Sequence, residues 1–324
     1  MSSLMNKFNC RMTMKNSNWK NFFRYAPSRF FTTKPVTAIV VAAALSFILG
    51  AFTGPTVRRA VSANDAIAQK PAPPFPMAWR MGSNLYMQTA AEYRACCLQI
   101  YKCAEQQLNS ILSSRPSGLL RSAVVMDLDE TVLDNSAFES FLYKYDLEYT
   151  EALWQVYERD YHDEVFLVPG AKDFIAHAER KGVTVIYISN RSEANQPSTI
   201  KALERLGINT GNINARILLK KSGESSDKSA RRALVAERYD VLLTVGDNLR
   251  DFSEAFAVGR LQPNDAAAYS SAIERRYAAV DSAAAHWGMD WVILPNPVYG
   301  EWEKLLGDQP KLKLRATKMK LAGK

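Results

Sequence analysis

Three short apolar runs, each emptying into polar residues, organise the middle of the chain. Residues 124–126 (VVM) run into Asp127, Asp129 and Glu130. Residues 183–189 (VTVIYIS) end in Ser189, Asn190 and Arg191, and 241–245 (VLLTV) end in Gly246, Asp247 and Asn248, with Asp251 close behind. Runs this short and this rich in β-branched residues predict buried strands rather than helices. A fourth run, 217–219, closes on Lys220 and Lys221. Between strands, 228–238 predicts a helix with Asp227 as its N-cap, another helix begins near Gly170, and 79–112 predicts a long one. In that long helix Tyr86, Ala90, Tyr93 and Cys97 share a face. The alternation predicts an α/β fold, in which polar groups at the carboxyl ends of strands border the ligand crevice.

Upstream, 36–52 (VTAIVVAAALSFILGAF) is an uninterrupted apolar run without a charge. Its length sits at the lower edge for a membrane span and beyond the usual signal-peptide core. Seven Lys/Arg precede it, whereas Arg58, Arg59 and Lys70 follow. The positive-inside rule therefore predicts a cytoplasmic N-terminus and a globular domain in the periplasm or outside the cell. Small-residue cleavage candidates at 61–63 and 66–68 lie far from the run, which favours an uncleaved anchor; secretion after cleavage is the alternative. The expected organisation is a basic segment 1–35, the anchor or signal 36–52, a proline-rich linker 53–78, a globular domain 79–307 and a basic tail 308–324.

Charge supports that division. The 324 residues carry a formal +8, but 1–64 hold nine Lys/Arg and no acid, and 308–324 hold six Lys/Arg against Asp308 alone. The interval 65–307, with 26 basic and 32 acidic residues, is net acidic. Basic character confined to the ends suits membrane contact and argues against a nucleic-acid groove. Cys96, Cys97 and Cys103 are expected as small core residues, and His162, His177 and His286 lack zinc-ligand spacing. The sequence does not specify an oligomeric state.

Chemistry concentrates at the strand ends. Asp127 and Asp129 are close enough to repel unless a cation or a proton separates them. A divalent metal satisfies this, and so does a division into nucleophile and general acid; a solvated acidic turn is the bland alternative. Acids from two strands, a hydroxyl from another and a lysine from a helix start together suit a phosphoryl group and Mg²⁺.

In order, DLDET at 127–131, the serine of SNR at 189–191, Lys228 and GDNLRD at 246–251 resemble the four motifs of the haloacid dehalogenase (HAD) superfamily of phosphohydrolases. More narrowly, DLDETVLDN with SNR, GDNLRDF and LPNPVYGEWE (294–303) is similar to the class C, or DDDD, acid phosphatases, which include the bacterial lipoprotein e family with its 5′-nucleotidases. The likeness runs from about residue 79 to 307. It implies a HAD-like Rossmannoid core with a parallel central sheet and a small helical cap inserted at 137–168. The implied activity is Mg²⁺-dependent hydrolysis of small-molecule phosphomonoesters, 5′-nucleotides among them, through an aspartyl-phosphate. By the resemblance Asp127 is the nucleophile and Asp129 the general acid and base. Ser189, Asn190 and Lys228 hold the phosphoryl group, with Lys228 preferred to Lys220 and Lys221. Mg²⁺ falls to Asp127, the Asp129 carbonyl and Asp247, with Asp251 in support. Among the many aromatics of the insertion Trp154 is expected to stack on the substrate, and Tyr299 to help close the pocket. A phosphate-binding or phospho-acceptor module without turnover is the rival reading, and Asp129 speaks against it, since such a module needs no general acid.

Overall fold

The computed structural model describes residues 77–114, 120–262, 265–307 and 315. The apolar run at 36–52, the cleavage candidates, the linker up to residue 76 and the tail apart from Arg315 lie outside the described residues. Among the described residues no helix is long and apolar enough to cross a membrane.

Helices α1 (Met77–Thr89) and α2 (Ala91–Ser114) precede strand β1 (Arg121–Met126). An excursion follows: β2 (Leu133–Asp134), α3 (Ser136–Lys144), α4 (Glu151–Asp160) and β3 (Phe166–Leu167). Then α5 (Ala171–Arg180) leads to β4 (Thr184–Ser192), and α6 (Gln196–Arg205) to β5 (Ile217–Lys220). Finally α7 (Ser229–Ala236) leads to β6 (Tyr239–Gly246), and α8 (Ala266–Ser282) to β7 (Trp291–Ile293).

The main sheet has the order β5-β4-β1-β6-β7, and each neighbouring pair is parallel. Its strands are apolar without alternation because both faces are covered. Val124, Met126, Val185, Tyr187 and Leu243 pack on one face with Tyr101 and Leu108 of α2 and Phe174 of α5. Ala123, Val125, Ile186 and Ile188 pack on the other with Val235 of α7. Each such aliphatic side chain stabilises the fold by about 1.5–3 kcal/mol when fully buried. From the central β1 the chain builds outward to β4 and β5 on one side and to β6 and β7 on the other. The carboxyl ends of β1, β4 and β6 therefore meet at a switch point, where open sheets leave a crevice.

The excursion between β1 and α5 is the expected helical cap, with one addition: β2 and β3 close its base as an antiparallel ladder. Thr150 caps α4 by accepting from Leu153 N at 3.2 Å. Phe138 of α3 packs against Trp154 and Tyr157 of α4, with ring centroids 5.2 and 4.9 Å away.

Three expectations need correction. The helix expected over 79–112 starts at Met77 and is two helices, interrupted at Ala90. Thr89 Oγ1 donates back to Leu85 O at 2.7 Å, a bond that loosens a helix end. Tyr86 still shares a face with Tyr93, their rings meeting edge-on with centroids 6.3 Å apart, but Tyr86 is exposed while Tyr93 and Cys97 are buried. Of the three described cysteines only Cys97 is in the core, while Cys96 and Cys103 are exposed. They fall off the stripe Tyr93, Cys97, Tyr101, Ala104 and Leu108 that α2 buries. Finally, Lys228 rather than Asp227 occupies the N-cap position of α7. Asp227 still serves the first turn from one residue further out, accepting from Ser229 N at 2.7 Å.

Candidate active site

The loop after β1 turns sharply so that its acids face the crevice. Asp127 N donates to Val245 O at 3.0 Å, fixing the strand end against β6. Glu130 adopts a left-handed φ of 54°, and Thr131, Val132 and Leu133 all donate to Leu128 O. That tight turn separates Asp127 and Asp129, which a continuing strand would have kept on one face.

Asp127, Asp247 and Asp251 each offer an oxygen within 4.8 Å of one another. Lys228, at the start of α7, reaches 2.7 Å from Asp127 Oδ1 and 2.7 Å from Asp251 Oδ1. Burial pulls its ammonium down, but the two carboxylates more than offset this and hold it raised. Asp251 is further held by Asn248 N, which donates to its Oδ2 at 2.9 Å. Its side chain lies directly over Gly246, where a Cβ would come within 2.4 Å of Asp251 Oδ2. Asp247 accepts from Thr131 Oγ1 at 3.1 Å and from Asn296 Nδ2 at 2.9 Å.

One lysine does not balance these acids. Burial pushes the Asp127 carboxyl well above the usual range, with Asp251, Asp247 and Asp129 adding repulsion and Lys228 opposing. Burial, then Asp251, pushes Asp247 up to about 7. Hard oxygen donors converging with excess negative charge match the donor chemistry of a small divalent cation.

Asp129 is held apart from this cluster. Its Oδ1 accepts from Arg191 Nε at 2.8 Å and Asn135 Nδ2 at 3.0 Å, and its Oδ2 from Ser189 Oγ at 3.2 Å. Ser189 is fully buried in β4, three residues before the strand ends at Ser192. Asn190 beside it has its carboxamide tied to Ser226 O at 3.1 Å and to Arg231 Nη2 at 2.6 Å.

These ends form the floor of a cleft of about 600 Å³, which Asp127, Asp129, Asn190, Lys228, Asp247 and Asp251 line. Trp154 from the cap and Tyr299 from the loop after β7 line it too. Lys220, the lysine set aside in favour of Lys228, sits at the rim and pairs with Glu151 of the cap at 3.2 Å. The sequence did not single out several neighbours. Thr131 and Asn296 lie inside the quoted motifs without an assigned part, as do Asn135 and Arg191. Arg80 of α1 and Glu139 of α3 also line the cleft. Nothing in the local sequence of Arg80 points there, because helix packing alone brings α1 to the cleft, where Arg80 pairs with Glu303.

The model of the HAD superfamily, subfamily IIIB (acid phosphatase), matches residues 55–302. The chain belongs to this family. Among solved structures it is similar to a class C acid phosphatase from Bacillus anthracis, at 33% identity over 70% of this chain and 87% of that one, with a TM-score of 0.59. A tungstate-bound crystal structure of class C acid phosphatase from Bacillus anthracis matches at 32% identity over 74% of this chain and 98% of the other, with a TM-score of 0.62. As a class C acid phosphatase it is a phosphomonoesterase with a parallel α/β core, and the cleft at the switch point of its sheet is the candidate active site.

Proposed function

We propose that this phosphatase works through an aspartyl-phosphate on Asp127, with Mg²⁺ as cofactor, and that it prefers nucleoside monophosphates or aryl phosphates. The observation that carries the reading is the convergence of Asp127, Lys228, Asp247 and Asp251 on one point of the crevice, with Asp129 set beside it on its own partners.

Asp127 attacks phosphorus as the nucleophile. The bond from phosphorus to the leaving oxygen breaks, and Asp129 delivers a proton to that oxygen. Asp129 then takes a proton from the water that attacks the aspartyl-phosphate, which restores Asp127 and releases phosphate. Lys228 sits between Asp127 and Asp251, where its ammonium meets phosphoryl oxygens and offsets their charge in the transition state. Ser189, with Asn190 beside it at the strand end, supplies polar groups to the same oxygens. A tetrahedral oxyanion such as the tungstate bound in the Bacillus anthracis relative fits this role.

The donor set fits Mg²⁺: Asp127, Asp247 and the Asp129 carbonyl would hold it. Asp251, both of whose oxygens already have partners, supports the site through Lys228 and Asn248. When bound, the cation supplies charge neutralisation between nucleophile and phosphoryl oxygens.

Trp154 from the cap and Tyr299 from the loop after β7 give the cleft two aromatic surfaces for a base or an aryl group. The acid-free N-terminus around the 36–52 run places the enzyme, in this reading, in the periplasm or outside the cell, anchored through that run.

Hydrolysis of p-nitrophenyl phosphate with and without EDTA tests the metal. Activity lost on chelation should return with Mg²⁺. Phosphate should be trapped on Asp127 after rapid denaturation. Full activity in EDTA, or a label on another residue, overturns the reading.

A further inference from the structure

Arg191 is the largest fully buried side chain of the described residues, and no catalytic step needs it. It is the penultimate residue of β4, two residues beyond Ser189, and two edges of its guanidinium grip one loop. Nε donates to Asp129 Oδ1 at 2.8 Å and Nη2 to Asn135 Oδ1 at 2.8 Å. Asn135 in turn donates to the same Asp129 oxygen at 3.0 Å. On its other side the guanidinium lies 5.5 Å from the centroid of the Trp154 ring, on cap helix α4. One buried cation thus touches the acid expected to move protons and the aromatic expected to receive the substrate's base.

We propose that Arg191 is the positioning residue for Asp129, orienting its carboxyl toward the leaving oxygen and tying that orientation to the Trp154 wall of the cap. The proposal rests on the general-acid reading of Asp129. Two N–H donors, from Arg191 and Asn135, occupy Oδ1. The partner of Oδ2 is the Ser189 hydroxyl, which can rotate away toward a phosphoryl oxygen. Oδ2 is therefore the oxygen that meets the leaving group. Holding two acceptors at once needs the planar fork of arginine; a lysine ammonium is a point charge that cannot reproduce it. An alternative partner for the guanidinium is Glu158 of α4, whose charge acts on it from the cap. A loosened Arg191 would release Asp129 from the leaving group.

The test uses the Mg²⁺-loaded full chain carrying Arg191→Lys or Arg191→Gln, alone and combined with Asp129→Asn. Glycerol phosphate, with a poor leaving group, is compared with p-nitrophenyl phosphate. Misplacing a catalytic group by about 1 Å can cost about 10²-fold. Arg191→Lys should therefore lower kcat on glycerol phosphate at least about tenfold more than on p-nitrophenyl phosphate, and in the Asp129→Asn background it should add less than about twofold. Equal losses on both esters, or an undiminished further loss in the Asp129→Asn background, assign Arg191 to folding alone and overturn the proposal. Asp129→Asn that treats both esters alike overturns the general-acid reading itself, and the inference with it. If neither Arg191 variant folds, Asn135→Ser, which loosens the same grip, is read by the same criteria.

Discussion

At the residue scale the site is a problem of charge and of space, and both give predictions. Gly246 ends β6 beneath the Asp251 carboxylate, and an added Cβ would approach Asp251 Cβ to 2.6 Å as well as its Oδ2. Asp251 cannot yield cheaply, because Lys228 and Asn248 hold it from two sides. Gly246→Ala should therefore displace Asp251, free Lys228 from one partner and lower kcat by at least about tenfold, each factor of ten being about 1.4 kcal/mol. Near wild-type kcat would show that Asp251 does not hold Lys228 for catalysis. Trp154 gives a second prediction. A stacked base contributes roughly 1–3 kcal/mol by alanine substitution in single-strand binders. Trp154→Ala should then raise KM for a nucleoside monophosphate more than for glycerol phosphate. Equal increases would make Trp154 a packing residue, for which its contacts with Phe138 and Tyr157 already suffice. Legibility at this scale follows the backbone. Asp127, Asp247 and Lys228 were readable because each stands at the end of a strand or the start of a helix, where main-chain geometry aims it. Arg80 and Glu139 were not, because tertiary packing of helices alone brings them to the cleft.

At the element scale the strands were legible and the helices only in part. A parallel strand buried on both faces leaves an unmistakable apolar run, and β1, β4 and β6 fall on the runs that predicted them. Helix continuity is more fragile: the helix expected over 79–112 is interrupted at Ala90, beside a back-bonding threonine at residue 89. The β2–β3 ladder, two residues a side, is too short to leave a periodic signal. The cap helix α4 carries a titration of its own. Glu158 is buried, accepts from Ser192 N at 3.2 Å and Asn195 Nδ2 at 2.9 Å, and so fastens α4 to the end of β4. Burial, opposed by Arg191, raises its carboxyl from the ordinary 4.5 to about 7. A carboxyl raised in the folded state binds its proton more tightly there than in the unfolded chain. Its contribution to stability is complete below pH about 4.5 and is lost as pH climbs toward about 7. The full effect corresponds to about 3 kcal/mol. Comparing Tm from pH 4.5 to 7.5, Glu158→Gln should flatten the wild-type decline across that window. Parallel Tm profiles would mean that Glu158 titrates in the fold as it does in the unfolded chain.

At the scale of the whole molecule the question is which side of a membrane the cleft faces, and the argument lies in how charge is distributed along the chain. A soluble basic protein spreads its lysines and arginines among acids, as 65–307 does. Here the first 64 residues contain no acid, and seven of their nine cations precede the apolar run. That asymmetry acts during insertion, when cationic flanks resist translocation, so the N-terminus should remain in the cytoplasm and everything after residue 52 should cross. The proline-rich stretch ending at Pro76 then separates the run from α1, whose Arg80 lines the cleft. A fusion of alkaline phosphatase after residue 75 should be active, since that reporter folds only where disulfides form, and an ordinary green fluorescent protein fused at the same point should be dark. Bright fluorescence with an inactive phosphatase fusion would reverse the topology and place the enzyme in the cytoplasm. Fractionation separates the two remaining outcomes. Full-length protein in the membrane fraction supports the anchor, whereas soluble protein beginning near residue 64 or 69 shows that 36–52 is removed as a signal. The same fusions on a variant with Lys15, Lys20, Arg24 and Arg29 changed to glutamine should lose their bias, because those cations, rather than the apolar run itself, set the direction of insertion.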